Sequence, residues 1–91
     1  MLQLKAFYSW LEQNNLSMGG IVLWHGLMYL WNQSFWSKNF TPSMVSIMAR
    51  TSLSKSTVLR ARGELVEAGL LELYPGKKRD ITRYKLVPFS V

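Results

Sequence analysis

The chain has 91 residues, 48% of them hydrophobic, no cysteine, and a formal net charge of +6 from 11 Lys and Arg against 5 Asp and Glu. That length holds one core, the apolar content is too high for a disordered tail, and the lack of cysteine excludes a disulfide framework or a thiolate metal site. The positive excess favours a polyanionic partner, and charge alone does not choose between nucleic acid and an acidic membrane.

Leu4, Phe7 and Leu11, with Leu2 and Trp10 beside them, have the spacing of an amphipathic helix over Met1 to Gln13, ended by Asn14 and Asn15. Ser17 is placed to cap a second helix, Met18 to about Asn32, whose apolar residues cover most of its circumference and therefore ask for burial on several sides. This segment lacks charge, but its apolar stretch to Trp31 is shorter than the roughly 20 residues of a membrane span. A polar loop, Gln33 to Asn39, carries Phe35 and Trp36 and leads to an extended segment at Phe40. Thr41 then Pro42 reads as a cap and first turn, starting a helix at Pro42 with Met44, Val45, Ile47 and Met48 on its apolar face. After an interruption at Arg50 to Leu53, Ser54 caps a helix running to Ala68, and Gly69 falls where a left-handed C-cap belongs. Leu70 to Tyr74 and Ile81 to Val87 are strand-like around a turn at Pro75 and Gly76, with Tyr84 and Leu86 on one face and Arg83 and Lys85 on the other.

This order predicts a mainly α domain with a small β-hairpin wing, a winged helix-turn-helix with an extra N-terminal helix. Residues 1–40 form a helical extension and core helix with capacity for oligomerisation; residues 41–88 form the helix-turn-helix and wing; together they make one domain.

Before Arg50 the only charged side chains are Lys5, Glu12 and Lys38, so the basic surface belongs to the C-terminal half. In a helix-turn-helix the second helix enters the major groove by its N-terminal part. With Val58 facing the core, Ser56 and Arg60 point away from it and are the leading contact residues. Lys55 is placed to neutralise a phosphate near the helix start, and Thr57 to assist. Lys77, Lys78 and Arg79 make a basic hairpin tip suited to backbone phosphate, or a merely solvated turn. Arg62 lies nearer the core and is expected to pair with a carboxylate such as Glu72. Gly63 lies toward the outer face, where a partner has room for close backbone approach. Trp24, Tyr29, Trp31, Trp36 and Phe40 read as core, whereas Phe7, Trp10 and Leu11 exceed what a small winged helix needs and are candidates for an oligomer interface. His25 has no companions for a metal set or a catalytic dyad, no serine or threonine has a nucleophile context, and there is no phosphate-binding glycine loop. No enzymatic activity, cofactor or metal is expected. No signal peptide is evident, and the expected location is the cytoplasm.

The run Leu23-Trp24-His25-Gly26-Leu27-Met28-Tyr29-Leu30-Trp31-Asn32, then Trp36, Ser54 to Val58, Ala61 to Leu65 and Ala68 to Leu71, resembles the N-terminal domain of DnaD-like replication proteins and phage replisome organisers. That resemblance spans about Phe7 to Leu86, and its second half is shared with many winged-helix regulators. It implies a module that helps organise replication initiation, self-associates through N-terminal elements, and works with a C-terminal DNA-binding domain and other initiation proteins. The chain ends soon after Pro88, as a fragment of a longer protein or a stand-alone relative would. Three functions follow for the chain: a replication-initiation module on double-stranded DNA, a transcription regulator reading an operator as a dimer, or an assembly scaffold that leaves DNA alone.

Overall fold

The computed structural model describes residues 2–76 and 81–89. Four helices and one hairpin follow in chain order: α1 Leu2–Leu11, α2 Met18–Gln33, α3 Met44–Thr51, α4 Lys55–Glu67, β1 Leu71–Pro75 and β2 Thr82–Leu86. The fold is therefore mainly helical with a small antiparallel β element.

Short polar side chains set the helix ends. Asn14 closes α1 by donating its amide at 2.8 Å to the Trp10 carbonyl, which also accepts from the Gln13 N–H at 3.1 Å. Ser17 caps α2, its hydroxyl accepting from the Gly20 N–H at 3.1 Å. The third helix starts later than Thr41-Pro42 predicts. Its cap is Ser43, which accepts from the Ser46 N–H at 3.1 Å and donates to the Ser46 hydroxyl at 3.0 Å, so Pro42 lies outside the helix. Ser52 takes the left-handed conformation, φ 61°, in the short turn Ser52–Ser54, and buried Thr51 ties that turn to α3 by donating to the Ile47 carbonyl and accepting from the Leu53 N–H. At the other end of α4, Gly69 has φ 77° and donates to Val66, while Leu70 donates to Leu65 at 2.9 Å. Those two bonds form a Schellman stop, and buried Leu65 and Leu70 are its apolar pair.

The hairpin register runs from Leu71 opposite Leu86 to Pro75 opposite Thr82. Period-two alternation turns Leu71, Tyr84 and Leu86 into the core and leaves Glu72, Tyr74 and Lys85 outside. Phe40 is extended along the free edge of β2, its carbonyl accepting from the Tyr84 N–H at 2.8 Å.

α2 lies at the centre, as its all-round apolar surface demands. α3 approaches closely at Gly26, where a Cβ would stand 2.4 Å from the Thr51 methyl. α4 meets α2 along Gly19, whose added Cβ would touch Thr57 and Ala61. α1 covers a further side: the Phe7 ring lies flat on Trp24, centroids 3.9 Å apart and planes 6° from parallel. The oligomer-interface expectation is thereby corrected for Phe7, which has 0% exposure inside the chain's own core. Trp10 and Leu11 are half-buried against the same cluster. The C-terminal segment clamps this helix, because the Gln3 amide donates to the Phe89 carbonyl at 3.1 Å and accepts from its N–H at 2.8 Å.

Phe7→Ala is expected to lower stability by about 3–5 kcal/mol, the usual loss for a fully buried aromatic, measured by urea denaturation. A loss below about 1 kcal/mol would mean that α1 is peripheral to the core.

Candidate nucleic-acid interface

α4 presents its N-terminal half to solvent. Ser54 fixes its start, accepting from the Thr57 N–H at 3.3 Å, and its hydroxyl also lies 3.3 Å from Ser56 Oγ and 2.9 Å from Thr57 Oγ1. Lys55, Ser56 and Arg60 are exposed, while Val58, Ala61 and Leu65 are buried beneath them. Thr57 differs: its hydroxyl is held by Ser54 and its methyl packs over Gly19, so it faces α2. Lys55 lines an open surface groove of about 530 Å³ between the start of α3 and β2, with Leu59, Arg62 and Thr82. Val45 beside it is among the most exposed apolar side chains of the described residues.

Arg62 does not pair with Glu72. Its guanidinium donates to the Tyr84 hydroxyl at 2.9 Å, a neutral partner that the inward turn of Tyr84 places under α4. Glu72 lies on the opposite, outer face of the hairpin, where it accepts from the Tyr74 hydroxyl and stands 3.8 Å from Lys85 Nζ. The bond to Glu72 holds the Tyr74 phenol above its usual 10, since ionising it would put two negative charges together. Lys77, Lys78 and Arg79 lie outside the described residues.

The carboxylates of α4 are confined to its later turns, at Glu64 and Glu67. Glu64 reaches across to the start of α2, where Oε1 accepts from the Ser17 N–H at 2.9 Å and Oε2 from the Ser17 hydroxyl at 2.5 Å. The Ser17 hydroxyl, the Ser17 N–H and the charge of Arg60 all favour the carboxylate and hold Glu64 below the ordinary glutamate value of 4.5, against a smaller opposing effect of burial. In a capping box the carboxylate that binds the cap residue's N–H comes from the same helix, three residues on. Here position 20 is glycine and α4 supplies the carboxylate, so the only trace in the sequence is a serine cap with no acid behind it.

Gly63 is on the exposed side of α4, and a Cβ there would meet no atom within 4 Å. His25 packs edge-on to Phe7 and Trp24; its Nδ1 donates to the Ile21 carbonyl at 2.8 Å, and Nε2 lies 3.1 Å from the Tyr8 hydroxyl. Among the expected core aromatics, Trp24 and Phe40 are buried and Trp31 is half-buried. Tyr29 and Trp36 are exposed, a correction with a local cause in each case. Tyr29 lies beneath the Arg50 guanidinium, 3.6 Å from its ring centroid, and Trp36 sits in the loop after α2 has ended. Among the described residues no three His, Cys, Asp or Glu side chains cluster as a metal set, and no helix is long and apolar enough to cross a membrane.

No protein-family model matches the chain, and no curated protein or solved structure is detectably similar to it.

A depressed carboxylate stabilises the fold fully above 4.5, its unfolded value, and that contribution is lost as pH falls through the lower folded value. Glu64→Gln is therefore expected to unfold at lower urea than the parent at pH 7, with the gap narrowing steadily on acidification below 4.5. A gap of constant size would show that Glu64 acts through packing. Gly63→Ala, by contrast, is expected to raise stability by up to about 1 kcal/mol, because an exposed helix interior gains propensity without a clash; thermal denaturation reads this directly.

Proposed function

We propose that the chain is a winged-helix module that binds double-stranded DNA, with α3 and α4 as the helix-turn-helix and β1–β2 as the wing. The observation that carries this reading is the Ser54-capped start of α4, which exposes Lys55, Ser56 and Arg60 while Glu64 and Glu67 stay in its later turns. An anion is favoured at such a helix end by free backbone N–H groups and by the helix dipole. Arg60 and Ser56 then face base edges and Lys55 faces a phosphate, while the charges of Lys77, Lys78 and Arg79 suit backbone phosphate. Thr57 contributes by setting the helix start.

Within this reading, the resemblance of the 23–32 run of α2 and of Trp36 in the loop after it favours a role in replication initiation of the DnaD-like kind, working beside other initiation proteins. A transcription regulator on an operator would use the same residues but needs a symmetric dimer. Self-association falls to the rim of α1, where half-buried Trp10 and Leu11 adjoin exposed Tyr8.

Binding to a labelled mixed-sequence duplex, followed by fluorescence anisotropy across a salt series, tests the proposal. Affinity is expected to fall steeply with salt, with a log-log slope near −0.9 for each phosphate contacted. Lys55→Ala should weaken binding to all duplexes alike and flatten that slope by about one unit, while Arg60→Ala should cost about 1–3 kcal/mol on a preferred sequence. Unchanged affinity in both variants would overturn the assignment.

A further inference from the structure

On the hairpin face turned away from α4 lies a second groove, of about 430 Å³, lined by Trp36, Lys38, Tyr74, Arg83 and Lys85 with half-buried Trp31. Two segments distant in sequence build it: the loop after α2 and the outer face of the hairpin. They are joined where Arg83 donates to the Lys38 carbonyl at 3.4 Å. Arg83 also stacks on Tyr74, its guanidinium 4.2 Å from the ring centroid. Trp36 stands at the other side, 58% exposed, beside Phe35 at 85%.

These two aromatics are held out by an unfavourable backbone. Phe35 and Trp36 have φ of 58° and 56°, the left-handed region that bulky residues avoid. The Phe35 N–H donates to Asn32, the Trp36 N–H to Trp31, and the Trp31 indole to the Ser37 carbonyl, so the loop is pinned in that form. Strain of this sort persists only where surrounding bonds enforce it, and it concentrates at binding sites.

We propose that this groove binds unpaired bases of a single-stranded nucleic acid. The Trp36 indole and the outer plane of the Arg83 guanidinium are the stacking surfaces, and Lys38 and Lys85 hold the phosphates. Charge decides the class of ligand. Among the described residues, three cations, Lys38, Arg83 and Lys85, stand beside one carboxylate, Glu72, which is already engaged by Tyr74 and Lys85. An aromatic face flanked by cations matches a base next to its phosphate, and the bases of a duplex are already stacked on each other and cannot lie on Trp36. No α4 residue takes part, so the site shares only the hairpin with the duplex-binding reading.

The test uses the full chain and an oligothymidylate of about 15 nucleotides, near the upper end of a single-domain footprint. Titration is expected to quench tryptophan emission as a base stacks on Trp36. Trp36→Ala should bind this oligomer roughly five- to a hundred-fold more weakly, the loss of one stacked base, with Trp36→Phe restoring most of the affinity. Both variants should keep the parent's helical circular dichroism and its duplex affinity. Lys38→Ala, which leaves the strained turn untouched, should weaken oligothymidylate binding and reduce its salt dependence. An abasic oligomer of equal length that binds equally well would overturn the proposal, since charge alone would then suffice. Unaltered binding by Trp36→Ala would overturn it too. So would Trp36-dependent self-association in sedimentation without oligothymidylate binding, which would assign the groove to a second copy of the chain.

Discussion

An uncharged helix of 16 residues with apolar side chains on nearly every side is the constraint from which the other elements take their places. Left exposed, α2 would place several large side chains in water, at about 25 cal/mol for each Å² of apolar surface. It is covered on three sides by three means. Phe7 lies flat on Trp24; Thr51 enters the space left open at Gly26; and Glu64 takes the start of the helix through Ser17 while Thr57 and Ala61 pack on Gly19. The last of these orients α4. With one side of α4 committed to α2 and another to the hairpin through Arg62 and Tyr84, the remaining face, with Ser56, Arg60 and Gly63, is the one left exposed.

Much of this was legible in the sequence because caps and stops are local. Ser17, Ser54 and Gly69 act within a few residues of themselves, so their roles follow from identity and position alone. The alternation of β2 was legible for the same reason. Ser43 outcompeted Thr41 because two serines three apart satisfy each other, a reciprocity hidden by the stronger-looking Thr-Pro pair. Placements that depend on tertiary neighbours are not local in this way. Phe7 looked surplus only while α1 was imagined outside the core, although the all-round apolar character of α2 already required cover there. The charge of Arg62 suggests a carboxylate partner, whereas strand parity sends Glu72 to the opposite face and brings the Tyr84 hydroxyl within reach.

The candidate contact residues divide in a similar way. Lys55, Ser56 and Arg60 are exposed as a helical wheel requires, since that placement is fixed by the buried stripe of Val58, Ala61 and Leu65. Thr57, beside them in sequence, was out of reach of that reasoning because its surroundings are α2 and Ser54. Composition places Trp36 in the core, as it does most large aromatics. Its exposure comes from two successive left-handed residues, a conformation that no propensity of phenylalanine or tryptophan foretells.

The hairpin holds two chemistries apart with a strand of only five residues. Tyr84 and Leu86 turn their side chains to the core, and Tyr84 anchors Arg62 beneath α4, although both also border the aromatic groove; Arg83 and Lys85, one position along, supply its cations. A slip of one residue would exchange the two sets, putting cations into the core and an apolar pair into water. Two bonds on β2 oppose that slip independently of its pairing with β1: the Tyr84 N–H to the Phe40 carbonyl, and the Arg83 guanidinium to the Lys38 carbonyl. Both acceptors belong to the segment that also carries Trp36. The loop that displays the aromatic therefore also fixes the register that sets the cations opposite it, so the groove is made by the same contacts that keep the core-facing side of the strand correct.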